Sequence, residues 1–215
     1  ELADDSAEDI AEKYRRARAA QPAWAAVTLH TRLAAILRFK NLVEERKTEL
    51  AITLTREMGK PIRQSQAELD AVAGRINFFL EHTERTLAPE TVLDDPKMRE
   101  QITHEPLGVV ANVSAWNYPW FVGSNIFVPA LAAGNAVLYK PSEFATLTGL
   151  AIGKLLHAAG VPPAVFSVLV GSGSTGALLV DQPVDGIFFT GSYATGARIA
   201  AACAPRMLKL QLELG

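Results

Sequence analysis

The sequence predicts a doubly wound α/β fold, a parallel sheet with helices on both faces, joined to an N-terminal helical layer and a hairpin arm. Three observations lead there. Residues 6–87 carry apolar side chains at helical spacing. After Pro106, short apolar runs alternate with stretches long enough for crossover helices. One of those runs gives way to a helix through a glycine-rich segment, Gly171-Ser172-Gly173-Ser174-Thr175-Gly176.

In chain order, a first amphipathic stripe places Leu33, Ile36, Leu37, Lys40 and Val43 on one helix face. Gly59 followed by Pro61 supplies a stop. The next helix aligns Leu69, Val72, Ile76, Phe79, Leu80, Thr83 and Leu87 at 3.6-residue spacing. Between Pro96 and Pro106 the polar stretch Met98 to His104 reads as an edge strand or hairpin arm. Five buried parallel strands then follow at Val109–Val113, Ala136–Tyr139, Phe166–Val170, Ile187–Phe189 and Leu208–Leu212. The helices between them run roughly over 121–133, 147–159, 175–180 and 194–203, lengths that suit right-handed crossovers. The chain therefore divides into a helical part, 1–87, a hairpin or edge-strand segment, 88–107, and the sheet with its crossovers, 108–215. No repeat or low-complexity linker separates them, so the helices are expected to pack on the sheet.

Composition removes several functions. With 49% apolar residues among 215 the chain can bury a large core, and a net charge of −2 gives no positive field for nucleic acid or an anionic membrane surface. Asn125, Pro129, Gly134 and Asn135 interrupt the longest apolar stretches well short of the roughly 20 residues a spanning helix needs. The first residues show neither a basic nor an apolar signal region. One cysteine, Cys203, cannot build an intrachain disulfide framework, and a cytoplasmic setting is the default expectation. His30, His82, His104 and His157 lack ligand spacing, so no metal site is expected.

Four strand ends carry chemistry, and each has a plainer reading beside it. The glycine-rich loop at 171–176, with Gly173 at its centre, fits a phosphate cradle. No acidic residue follows some 20 positions later to hold a ribose, and glycines serve close helix–strand packing equally well. Phe189-Thr190-Gly191-Ser192-Tyr193-Ala194-Thr195-Gly196 is a second strand-to-helix junction, where Ser192 is either a pyrophosphate contact or an ordinary N-cap. Lys140-Pro141-Ser142-Glu143 leaves a buried strand at the end where parallel sheets form ligand crevices, although a lysine there is usually just solvated. Ser114-Ala115-Trp116-Asn117-Tyr118-Pro119-Trp120 is either a turn packed by aromatics or the seat of an amide that donates to an oxyanion.

Taken together, Trp116-Asn117-Tyr118-Pro119, Gly134-Asn135-Ala136-Val137, Lys140-Pro141-Ser142-Glu143, Phe189-Thr190-Gly191-Ser192, Gly196 and Leu212-Glu213-Leu214-Gly215 closely resemble the aldehyde dehydrogenase superfamily, in order along the whole chain. The resemblance implies a Rossmann-like NAD(P)-binding domain over 108–215 and oxidation of a small-molecule aldehyde, for example a semialdehyde such as succinic semialdehyde, to a carboxylate. It implies that Asn117 donates to the oxyanion when a thiolate attacks the aldehyde, and that Glu213 is the general base that hydrolyses the thioester. It implies that Lys140 and Glu143 grip the adenine ribose, with Ser142 between them, and that Ser192 meets the pyrophosphate. Val113, Ser114, Trp116, Gly173, Thr190, Gly191 and Leu214 are implied neighbours of the cofactor, and Thr195 stands where the family packs an aliphatic residue on the adenine. Glu143 tilts the choice towards NAD over NADP, because a 2′-phosphate would meet its charge. The resemblance also implies a homo-oligomer, with the Met98–His104 region part of a sheet that bridges subunits.

Ala115 replaces a proline that often precedes the Trp-Asn pair, and Thr195 is more polar than the usual occupant. The family's nucleophilic cysteine lies downstream of the Leu-Glu-Leu-Gly segment, so the catalytic domain is absent from these residues. Cys203, among Ala200, Ala201, Ala202 and Ala204, reads as packing material. The competing readings are a truncated, non-catalytic dinucleotide-binding module, and a relative that reduces acyl phosphates or acyl-CoA. Glu213 speaks against the latter, where a hydrolytic base is unhelpful.

Overall fold

The computed structural model describes residues 2–215. Four helices come first: α1 (Ala7–Ala26), α2 (Leu29–Glu45), α3 (Lys47–Met58) and α4 (Ile62–Leu87). Ser6 and Asp9 start α1 with a reciprocal capping box. Gly59 ends α3 with φ 69°, a left-handed conformation that a side chain resists, and Pro61 then opens α4. The predicted stripe of α4 is buried at Leu69, Val72 and Ile76 and fades towards Leu87. On α2 the buried face is instead Arg32, Ala35, Ile36, Phe39 and Val43. Leu37, expected inside, is exposed: it lies on the opposite side from Phe39, whose ring is fully buried.

A two-stranded antiparallel hairpin follows, β1 (Glu90–Asp94) and β2 (Arg99–Ile102). The sequence showed its second arm alone and extended it to His104; the strand ends at Ile102. The remainder is a five-stranded parallel sheet in the order β5-β4-β3-β6-β7. Its strands are β3 (Val109–Val113), β4 (Ala136–Lys140), β5 (Phe166–Val168), β6 (Gly186–Thr190) and β7 (Lys209–Glu213). Between them lie α5 (Pro119–Ala132), α6 (Thr146–Ala158), α7 (Gly173–Val180) and α8 (Tyr193–Cys203). The fold is the expected doubly wound, Rossmann-like sheet, and strand and helix limits differ from the sequence reading by at most two residues. β5 is shorter than the expected Phe166–Val170, because Val170 leaves the ladder to meet residue 5.

Moving outward from β3 to β4 and β5, α5 and α6 cover one face; returning to β6 and β7, α7 and α8 cover the other, as right-handed crossovers require. Helices α2 to α4 form an outer layer on α5 and α6, while α1 packs on the opposite side against α7 and strands β3, β4 and β5. One continuous core joins the layers. Phe127 of α5 stands at its centre, in edge-to-face contact with Phe39, Tyr139 and Phe166 at centroid distances of 6.0, 5.6 and 5.4 Å. Arg32 is buried with its donors on the carbonyls of Ala25, Val27 and Ala132, which ties the ends of α1 and α5 together.

Candidate functional site

Strand order reverses between β3 and β6, so the loops leaving their carboxyl ends diverge and open a crevice. There the structure has a cleft of about 780 Å³. Every site residue singled out from the sequence lines it except Leu214. The Leu214 side chain is turned away to pack on α8, so closely that a Cβ at Gly196 would come within 2.4 Å of it.

At the end of β4, Lys140 is 4% exposed and pairs with Glu143 at 3.5 Å. Burial pushes the Lys140 ammonium below its ordinary range, partly offset by Glu143 and Asp4. Glu143 feels desolvation as well, but its own backbone N–H, Lys140 and the Ser142 hydroxyl outweigh it and hold the carboxyl below its ordinary value. Ser142 donates to Glu143 Oε2 at 3.3 Å and accepts from Phe144 N–H at 3.3 Å. The result is a fixed carboxylate at the cleft wall with an ammonium behind it, a donor set suited to a vicinal diol.

The glycine-rich loop is tied to the N-terminal segment at its start. Val170 N–H donates to Asp5 Oδ2 at 2.8 Å and Ser172 N–H to Asp4 Oδ2 at 3.3 Å, while Lys13 holds Asp5 and the Val168 carbonyl. Two carboxylates of the N-terminal segment thus take the amides of Val170, just before the loop, and of Ser172 within it; Gly173, one step on, lines the cleft. The junction after β6 is more open. Ser192 is the N-cap of α8, accepting from Thr195 N–H at 3.3 Å, and Gly191 N–H is used by the Glu213 carbonyl. The first-turn amides of Tyr193 and Ala194 remain for an anion, since a helix leaves its first N–H groups without intrahelical partners. The plain cap and the open first-turn amides therefore coexist at this junction.

Asn117 sits on the exposed turn after β3. Its Oδ1 accepts from Tyr118 N–H at 3.1 Å, which leaves the amide NH₂ as the donating end. Behind the turn stands a pair the sequence reading did not single out. Glu68 of α4, with a fully buried side chain, accepts from Trp120 N–H at 2.8 Å and Phe121 N–H at 3.2 Å, capping an α5 that has no local side-chain cap. Lys60 pairs with Glu68, donates to the Asn117 carbonyl at 3.1 Å and lies 4.5 Å over the Tyr118 ring. Glu213 ends β7 at the cleft, exposed, and accepts from Gln211 at 3.1 Å. Cys203 is buried at the far end of α8, outside the cleft lining, and burial pushes its thiol up.

The cleft also holds Phe144, Ala177 and Arg198, which no sequence motif marked; their helical positions became informative only once the strand ends were placed. Among the described residues no group of acids, histidines and cysteines could hold a metal ion, and no helix is long and apolar enough to cross a membrane.

The profile described as the aldehyde dehydrogenase family matches residues 1–215. N-succinylglutamate 5-semialdehyde dehydrogenase of Novosphingobium aromaticivorans is 37% identical over 211 residues, 96% of this chain and 44% of that protein. The enzyme of the same name from Chromobacterium violaceum is 38% identical over 213 residues, 98% of this chain and 43% of that one. Among solved structures, PnpE from Pseudomonas sp. WBC-3, in a complex with nicotinamide adenine dinucleotide, superposes with a TM-score of 0.94 at 34% identity, over 100% of this chain and 44% of its own. The chain thus spans less than half the length of these relatives.

Proposed function

The chain belongs to the aldehyde dehydrogenase family, and from that premise we propose that its cleft binds NAD(P) for the oxidation of an aldehyde to a carboxylate. The observation that carries this is the convergence of Asn117, Lys140, Glu143, Ser192 and Glu213, from four separate strand ends, on one cleft. When bound, NAD(P)+ supplies the hydride acceptor. Lys140 and Glu143 would hold the adenine ribose hydroxyls, and the open first turn of α8 would receive the pyrophosphate. Glu143 favours NAD, since its carboxylate accepts from a free 2′-hydroxyl and repels a 2′-phosphate. Asn117 donates to the carbonyl oxygen as negative charge develops there, and Glu213 takes a proton from the water that ends the reaction.

The reacting thiolate is assigned outside these 215 residues, because Cys203 is buried away from the cleft with its thiol held protonated. By itself the chain binds dinucleotide without turnover. A semialdehyde is the proposed substrate, by likeness to the semialdehyde dehydrogenases above. The hairpin, with Val92, Met98 and Ile102 exposed, is proposed as a contact between subunits, and the setting as cytoplasmic. Calorimetric titration of the 215-residue chain tests the core of this reading: NAD is expected to bind more tightly than NADP, with no NADH formed on adding succinic semialdehyde. Absence of binding by either dinucleotide would overturn it.

A further inference from the structure

We propose that Lys60 and Glu68, a buried ion pair from the helical layer, are the positioning residues that fix the Asn117 turn; the inference rests on the oxyanion reading of Asn117 only for its functional meaning. Two functions are combined in the pair. One oxygen of Glu68 caps α5 through the amides of Trp120 and Phe121, which fixes where the helix starts. Its other oxygen holds Lys60, and the Lys60 ammonium reaches the Asn117 carbonyl at 3.1 Å and the Tyr118 ring face at 4.5 Å. The turn between β3 and α5 is therefore held from outside the sheet. No side chain of its own turn caps α5, and among the described residues the Asn117 side chain has a hydrogen bond with Tyr118 N–H alone. Without the tether, the amide would sample the turn's exposed conformations, whereas an oxyanion donor must be aimed in advance.

The capping and tethering functions separate by substitution. Glu68→Gln keeps an acceptor for the α5 amides and removes the charge that holds Lys60. The double variant Lys60→Met/Glu68→Gln also deletes the donor to Asn117 and leaves no buried charge. Lys60→Arg keeps both charge and donor. The readout is the Asn117 side-chain NH₂ in nitrogen-15 spectra of the 215-residue chain, assigned by its loss in Asn117→Asp. That signal is expected to move towards the position of a free primary amide in the double variant and to return towards the wild-type position in Lys60→Arg, as for a locally opened segment. Thermal melting and NAD titration report whether fold and cleft survive; if the double variant does not fold, Glu68→Gln takes its place. An unchanged Asn117 signal in a folded variant lacking the tether would overturn the inference. That result is separate from failure of the oxyanion reading, which would appear as full acylation by Asn117→Ala in a form of the protein that supplies the nucleophile.

Discussion

At the scale of single residues, the proposed preference for NAD rests on the charge of Glu143. A hydrogen bond to a charged group contributes about 1.5–3 kcal/mol. Glu143→Gln keeps one acceptor and loses the charge, so NAD affinity should fall by roughly tenfold while the gap to NADP narrows. Parallel titrations of both cofactors check this, and equal wild-type affinities would sink the assignment. Glu68 gives a second expectation, in pH. Burial raises its carboxyl above the ordinary value despite Lys60, so the folded chain holds this proton more tightly than the unfolded chain. Its contribution to stability is therefore fully present below the unfolded value and is lost as pH rises through the raised one. Urea unfolding of wild type and Glu68→Gln should show the difference moving in favour of glutamine as pH rises above about 4.5, the ordinary value. A flat difference between there and neutrality would mean that Lys60 compensates the burial in full.

At the scale of elements, two helices packed on the sheet are started from a distance. α5 and α6 lack local side-chain caps; Glu68 supplies one, and Glu57 of α3 the other through Leu147 and Thr148 N–H at 2.6 and 2.8 Å. Asp4 and Asp5 do the same for the loop after β5, 165 or more residues away in sequence. This explains what could be read from sequence and what could not. Strands β3 to β6 were legible because buried parallel strands are continuous apolar runs, and their ends carried recognisable residues. Strand β7, expected to be buried as well, is instead exposed at Lys209, Gln211 and Glu213 and half-buried only at Leu210 and Leu212, since it lies at the edge of the sheet. The first hairpin arm was not, since Glu90–Asp94 is exposed on nearly all positions and offers no alternation. The remote carboxylates left no local signature, as spacing within a segment cannot report a cap that arrives from another layer. Asp5→Ala removes a part-buried charged acceptor, so it should cost about 1.5–3 kcal/mol in urea unfolding and speed exchange of the Val170 amide. Gly149→Ala sets two effects against each other. Alanine favours the helix by about 1 kcal/mol, but its Cβ would come within 2.4 Å of the Pro141 ring. Overpacking of that kind costs about 1–3 kcal/mol, and relief by moving Pro141 displaces Lys140 and Glu143. Weaker NAD binding at nearly unchanged melting temperature is the expected outcome; unchanged NAD affinity would show that the ring yields without moving the pair.

At the scale of the whole molecule, one continuous core joins the helical layer to the sheet that carries the cleft. Strands β3, β6 and β7 pair side by side in parallel, which sets Asn117 and Glu213, beyond the end of β3 and at the end of β7, on the same edge of the sheet. Their proposed roles fall at different times. Asn117 acts while charge builds on the carbonyl oxygen, and loss of one such donor typically costs about 10²–10³ in rate. Glu213 acts after hydride has left, on the water that releases the acid. In a form of the protein that includes the nucleophile, rapid mixing with aldehyde and NAD should show the order. Glu213→Gln is expected to keep a fast first turnover of NADH and to slow the steady state behind it, because acylation and hydride transfer need no hydrolytic base. Asn117→Ala should slow the first turnover itself, leaving no burst to resolve. Cys203→Ser should change neither phase, since its thiol is buried at the far end of α8 and outside the cleft lining. A burst that vanished in Glu213→Gln and survived at full rate in Asn117→Ala would reverse both assignments, and loss of turnover in Cys203→Ser would return the nucleophile to this chain.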